Sequence, residues 1–150
     1  MVDYSYIAGF FDGEGYINIQ KKTPNSKSGS PYWLLISMAN TNKQVLDEIQ
    51  KLIGGTVLFH KGSQGKRFHY RLSLYNKQAY EFLISVREFL IVKQKEADIA
   101  ISFQESLRPH GSRIPLNSEE LLFREKCRVE IMSLHGNRIN HKKIKLENNN

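Results

Sequence analysis

Residues 4–13 carry apolar side chains at a helical interval: Ile7, Phe10 and Phe11 fall at i, i+3 and i+4, and Asp3 stands where an N-cap belongs. From Gly15 the interval changes to two. Ile17, Ile19 and Lys21 alternate with Tyr16, Asn18, Gln20 and Lys22, which predicts a strand with one apolar and one polar face. The run TPNSKSGSP, 23–31, is turn chemistry and predicts a long flexible hairpin loop. Residues 32–39 alternate again, with Tyr32, Leu34, Ile36 and Met38 on one face and Trp33, Leu35 and Ser37 on the other. NTNKQVLDEIQKLIGG, 40–55, predicts a cap, a helix with Val45, Leu46, Ile49, Leu52 and Ile53 as its stripe, and a stop at Gly54 and Gly55.

A second hairpin is predicted from 56–60 and 67–75. In its second strand Arg67, His69, Arg71 and Ser73 point out, and Phe68, Tyr70, Leu72 and Leu74 point in. Helices are expected over 78–90 and 93–105, a linker over 108–115, and a last helix opened by Ser118 with an acidic first turn. Residues 1–135 read as one domain and 136–150 as a basic, asparagine-rich, mobile tail. The order α-ββ-α-ββ-α, followed by further helices, predicts an α+β fold. In it a four-stranded antiparallel sheet is covered by helices on one side and offers its polar face to a partner.

Charge sharpens the nature of that partner. The net charge is +7 over 150 residues. Between Gly15 and Tyr80 the only acids are Asp47 and Glu48, against ten lysines and arginines. A positive field on a face rich in Asn, Gln, Arg and His suits a nucleic acid, with amides reading adenine and guanidinium groups reading guanine. An ordinary solvated basic surface is the competing reading. The N-terminus has no secretory pattern, no run is long enough for a membrane span, and the single Cys127 reads as a small buried hydrophobe. The expected setting is therefore intracellular and reducing, without membrane contact.

One stretch resists a purely structural reading. IAGFFDGEG, 7–15, places Asp12 and Glu14 at the C-terminal end of the first helix, where the dipole is already negative. Either both acids are simply solvated at a helix stop, or a cation neutralises them. Mg²⁺, which prefers one or two carboxylates plus phosphate oxygens, is such a cation. Gly9 and Gly13 lie four apart on one face, where small residues allow a second helix to approach.

IAGFFDGEG resembles the LAGLIDADG motif of homing endonucleases position by position. FLIVKQKEADIAI, 89–101, resembles the family's phrase carrying a basic active-site residue. The likeness runs from about Tyr4 to Phe103. It implies the family fold, with a saddle-shaped sheet and additional C-terminal helices. It also implies sequence-specific DNA cleavage with Mg as cofactor, Mn or Ca substituting for binding. By the same resemblance Glu14 is the metal ligand, joined by the Gly13 carbonyl, and Asp12 orders the helix end. Lys93 is the basic catalytic residue, and Asn40 orients solvent.

A single motif implies a homodimer, its two-fold axis lined by Ile7, Ala8, Gly9, Phe10, Asp12 and Gly13. The resemblance itself implies an intron-encoded protein of a prokaryotic cytoplasm, a chloroplast or a mitochondrion. The partner is a long, approximately palindromic double-stranded DNA. Base-reading candidates are Tyr16, Asn18, Gln20, Lys22, Trp33, Leu35, Ser37, His60, Arg67, His69 and Arg71. Lys21, Lys27, Lys61, Lys66, Arg113 and the tail lysines are assigned to phosphates. The alternatives are an intron-RNA-binding splicing cofactor (a maturase) and a non-cleaving DNA-binding protein on the same scaffold.

Overall fold

The computed structural model describes residues 2–22, 31–63, 65, 67–108 and 114–147, with side chains as far as His135. The loop expected at 23–31 lies outside this set except for Pro31, as do Lys27, Lys66 and Arg113. The elements in chain order are α1 (Tyr4–Glu14), β1 (Gly15–Lys21), β2 (Tyr32–Asn40), α2 (Lys43–Ile53), β3 (Thr56–His60), β4 (His69–Tyr75), α3 (Asn76–Val86), a single 3-10 turn (Arg87–Phe89), α4 (Gln94–Glu105) and α5 (Ser118–Glu147). The strands form one antiparallel sheet in the order β1-β2-β4-β3. Among the described residues no helix is long and apolar enough to cross a membrane.

Helices α1, α2 and α5 start where a side chain takes up an unpaired amide. Asp3 accepts from the amide of Tyr6 at 2.8 Å and so caps α1. Asn42 accepts from Gln44 at 3.0 Å and caps α2, which Gly54 ends at a positive φ of 73°. The last helix departs from the sequence reading. Its cap is Asn117 rather than Ser118: Asn117 Oδ1 accepts from the Glu120 amide, and a Glu120 oxygen accepts from the Asn117 amide, both at 2.9 Å. This reciprocal capping box outcompetes a serine one residue later. The helix runs to Glu147, across Gly136, where the sequence suggests a boundary.

The apolar faces meet on one side of the sheet. Ile7, Ala8 and Phe11 of α1, Leu46 and Ile49 of α2, and Ala79, Phe82, Leu83 and Val86 of α3 are buried against Ile17, Ile19, Leu34, Ile36, Met38, Leu72 and Leu74. The Phe11 ring meets Phe82 edge-on at 5.1 Å and also fills the space beside Gly15. A Cβ at Gly15 would collide with that ring and with the Phe11 carbonyl oxygen. The last motif glycine is therefore required by packing. Gly15→Ala is expected to cost about 1–3 kcal/mol, read as a lowered denaturation midpoint with an unchanged denaturant slope.

Helix α5 closes the edge strand β1. Glu125 accepts from the Tyr32 hydroxyl at 2.5 Å and pairs with Lys21 at 3.4 Å and with Arg128 at 3.0 Å. Lys21 thus docks α5, a role other than the phosphate contact expected of it. The Tyr32 hydroxyl, and after it Lys21, holds the Glu125 carboxyl below its ordinary value of 4.5. A depressed carboxyl stabilises the fold above its unfolded pKa, and that contribution disappears as pH falls through the folded value. Acidification from the ordinary carboxyl value of 4.5 down through the lowered folded value should loosen this docking, and Glu125→Gln should flatten the acid dependence of the melting temperature. The exposure of the pair to solvent keeps the effect small.

Candidate active site and nucleic-acid interface

The antiparallel start of β1 and end of β2 bring Glu14, the last residue of α1, beside the end of β2, because Gly15 pairs with Met38. The two acids of the motif have opposite environments there. Asp12 is fully engaged: one oxygen accepts from the amides of Ile91 and Val92 at 2.8 and 3.1 Å, and the other accepts from the amide of Lys93 at 3.0 Å. It caps the entry to α4 from a distance of eighty residues. Glu14 is exposed, and among the described residues no donor or cation meets its carboxylate.

Lys93 explains how the end of α1 tolerates two acids. Its Nζ donates to the Asp12 carbonyl oxygen at 2.6 Å, and the residue retains only 5% of its surface. A cation on one of the orphan carbonyls offsets the negative end of the helix dipole. The loop before α4 follows from the same contact. The sequence periodicity predicts α3 as far as Leu90, but the helix stops at Val86 and one 3-10 turn follows. That break turns the amides of residues 91–93 toward Asp12.

The donor set suits a hard divalent cation completed by a substrate. Glu14 supplies an unpaired carboxylate, and the Gly13 carbonyl lies in the last turn, beyond intrahelical bonding. Among the described residues no cluster of three or more His, Cys, Asp or Glu could hold a metal on its own. One protein carboxylate with phosphate oxygens and water is the coordination Mg²⁺ favours. Asn40 has a local partner: its Oδ1 accepts from the Asn42 amide at 2.8 Å and holds the turn into α2.

The open face of α1 differs from the expected one. Ile7 and Ala8 are completely buried in the chain's own core and cannot line a dimer axis, because they present no surface. The face left open carries Tyr6, Gly9, Phe10 and Gly13, at i, i+3, i+4 and i+7. A Cβ at either glycine would meet nothing within 4 Å, and Tyr6 stacks on Phe10 with ring centres 6.4 Å apart. Tyr6 was legible from that spacing, although the motif itself starts one residue later.

The sheet's uncovered face is polar and free of acids. Pairing sets Tyr16 opposite Ser37, Asn18 opposite Leu35 and Gln20 opposite Trp33. Across β4 and β3 it sets Ser73 beside Thr56, Arg71 beside Leu58 and His69 beside His60. The two imidazoles stack with centres 5.2 Å apart, and Arg71 Nη2 lies 3.5 Å from His69 Nε2. Asn18, Gln20, Lys22, Trp33 and Leu35 are half-buried, whereas Ser37 keeps only 8% of its surface. Lys61 and Arg67 are exposed just outside the strands, so β4 begins at His69 rather than Arg67. Nothing in the sequence suggested that α5 borders this face, but Arg128 and Met132 line a groove with Tyr16, Asn18 and Gln20, and His135 stacks on Tyr16 at 4.9 Å.

The LAGLIDADG endonuclease family model matches residues 7–109. An intron-encoded DNA endonuclease, ai2b of Dictyostelium discoideum, is 31% identical over 85 residues, covering 54% of this chain and 31% of that protein. The chain thus spans about a third of that curated relative. Among solved structures, the archaeal intron-encoded homing endonuclease I-Vdi141I in complex with DNA superposes with a TM-score of 0.70 at 22% identity, over 87% of this chain and 82% of that one. The homing endonuclease I-CvuI, on a DNA target in the presence of Mg, gives 0.68 at 18%, over 87% and 80%. I-SmaMI, bound to uncleaved DNA with calcium ions, gives 0.66 at 16%, over 87% of this chain but 45% of that one.

Proposed function

Because this chain belongs to the LAGLIDADG endonuclease family, we propose that it is a Mg-dependent homing endonuclease that cleaves both strands of a long, nearly palindromic duplex as a homodimer. The contrast between the motif's two acids carries the reading. Asp12 is committed to the fold, and Glu14 stands exposed and unpaired beside an acid-free reading face. Glu14 and the Gly13 carbonyl would hold the ion, which would supply Lewis-acid chemistry at a scissile phosphate. Lys93 keeps the end of α1 electrostatically tolerable and places positive charge one residue behind Gly13. The uncovered face positions the duplex: Asn18, Gln20 and Arg71 toward base edges, Arg67 toward phosphates.

One motif helix supplies one Glu14, and a second strand requires a second. The open stripe Tyr6, Gly9, Phe10 and Gly13 allows a close approach of two copies. Selection of cut sites from a randomised duplex library with Mg²⁺, followed by sedimentation of the protein on a selected site, tests both parts. Double-strand cuts by a two-chain complex are expected. A library that is never cut sinks the nuclease assignment, and cutting by one chain per duplex sinks the dimer.

A further inference from the structure

The β3–β4 hairpin carries a second surface on the side opposite the reading face. Phe59, Tyr70 and Phe68 alternate with His60, His69 and Arg71, so they share the helix side of the sheet. The covering helices do not close over this end. Phe59 is 56% exposed and Phe68 51%. The three rings form one cluster, with centres 5.9 Å apart for Phe59 and Phe68, 5.5 Å for Phe59 and Tyr70, and 6.4 Å for Phe68 and Tyr70. Exposed Lys61 adjoins the cluster along the chain, and the sequence carries no acid between Glu48 and Glu81.

Exposed, mutually supported aromatic rings beside a cation, in a segment without acids, are the composition of a stacking platform for unpaired bases. A duplex keeps its bases stacked internally and offers no free faces to these rings. A second copy of the chain would bring like charges together. From the ring cluster and its charge we infer that the back of the β3–β4 hairpin binds single-stranded nucleic acid, at the same time as a duplex occupies the open face. This extends the endonuclease reading and does not depend on it, because a single-stranded ligand can be measured without cleavage.

The test uses the full chain and fluorescence anisotropy with short uridine RNA and thymidine DNA oligonucleotides at low salt, with duplex cleavage followed in parallel. Wild type is expected to bind at least one of them, the stronger of the two identifying the natural source. Phe59→Leu with Phe68→Leu keeps apolar bulk but removes the π faces, and should weaken binding by about tenfold or more per ring. Phe59→Trp with Phe68→Trp should retain it. Cleavage should be unchanged in both, and saturating duplex should not displace the oligonucleotide. The inference is overturned if neither oligonucleotide binds, if the leucine variant binds as wild type does, or if the duplex displaces the strand. It is equally overturned if the leucine variant alters sedimentation of the free protein, or loses its melting temperature and cleavage together. Failure of wild type to cut any duplex would sink the nuclease assignment and leave the oligonucleotide result standing.

Discussion

Glu14→Gln is expected to lower cleavage by about 10²–10³-fold or more while DNA binding without catalysis stays within a few-fold of wild type. The amide keeps the shape of the side chain and removes the anionic oxygens that would hold the cation. The same substitution should slightly raise stability in the absence of DNA, by about 0.3–1 kcal/mol, because it removes a negative charge from the C-terminal end of α1. Lost activity coupled to gained stability separates a ligand from a structural acid, since a structural acid would lose both. Single-turnover cleavage of a selected duplex and thermal denaturation of the free protein measure the two effects. Cutting by the variant at the wild-type rate sinks the metal assignment.

Alternation was the most reliable guide in this chain. The period-two runs in β1, β2 and β4 placed Asn18, Gln20 and Arg71 on the uncovered face and Ile17, Leu34 and Leu72 on the core face, because a strand half-covered by helices leaves that imprint at every second residue. The motif drew attention to the end of α1, but its spacing did not say which side of α1 faces inward. That depends on where Phe82 and the sheet lie, so Ile7 and Ala8 were assigned to the wrong face. The role of Asp12 was legible as structural, but its partners, eighty residues away, were not. The early stop of α3 comes from the same tertiary contact. Asn76 is a smaller case: it adopts a φ of 45° and accepts from the Leu34 amide at 3.1 Å, where periodicity only shows a strand giving way to a helix.

Asp12→Ala should combine a stability loss with a loss of cleavage that binding does not explain. Three amides, of Ile91, Val92 and Lys93, lose their acceptor. Water can reach the exposed residues Ile91 and Val92, but the Lys93 amide is partly buried, so the expected cost is about 2–3 kcal/mol rather than the sum of three orphaned donors. The 3-10 turn would then be free to drift, and the lysine ammonium would lose its fixed position on the residue-12 carbonyl. Cleavage should fall by about 10–100-fold through kcat, as for a residue that supports a metal site without touching the ion. Asp12→Asn can accept with one oxygen only and should lie between alanine and wild type in both respects. Lys93→Met, which keeps the stem and removes the charge, should reproduce the activity loss while leaving the amide cap intact. Amide hydrogen exchange distinguishes the two: residues 91–93 should exchange faster in Asp12→Ala and at the wild-type rate in Lys93→Met. Equal exchange in both variants would mean that Asp12 does not hold the entry to α4.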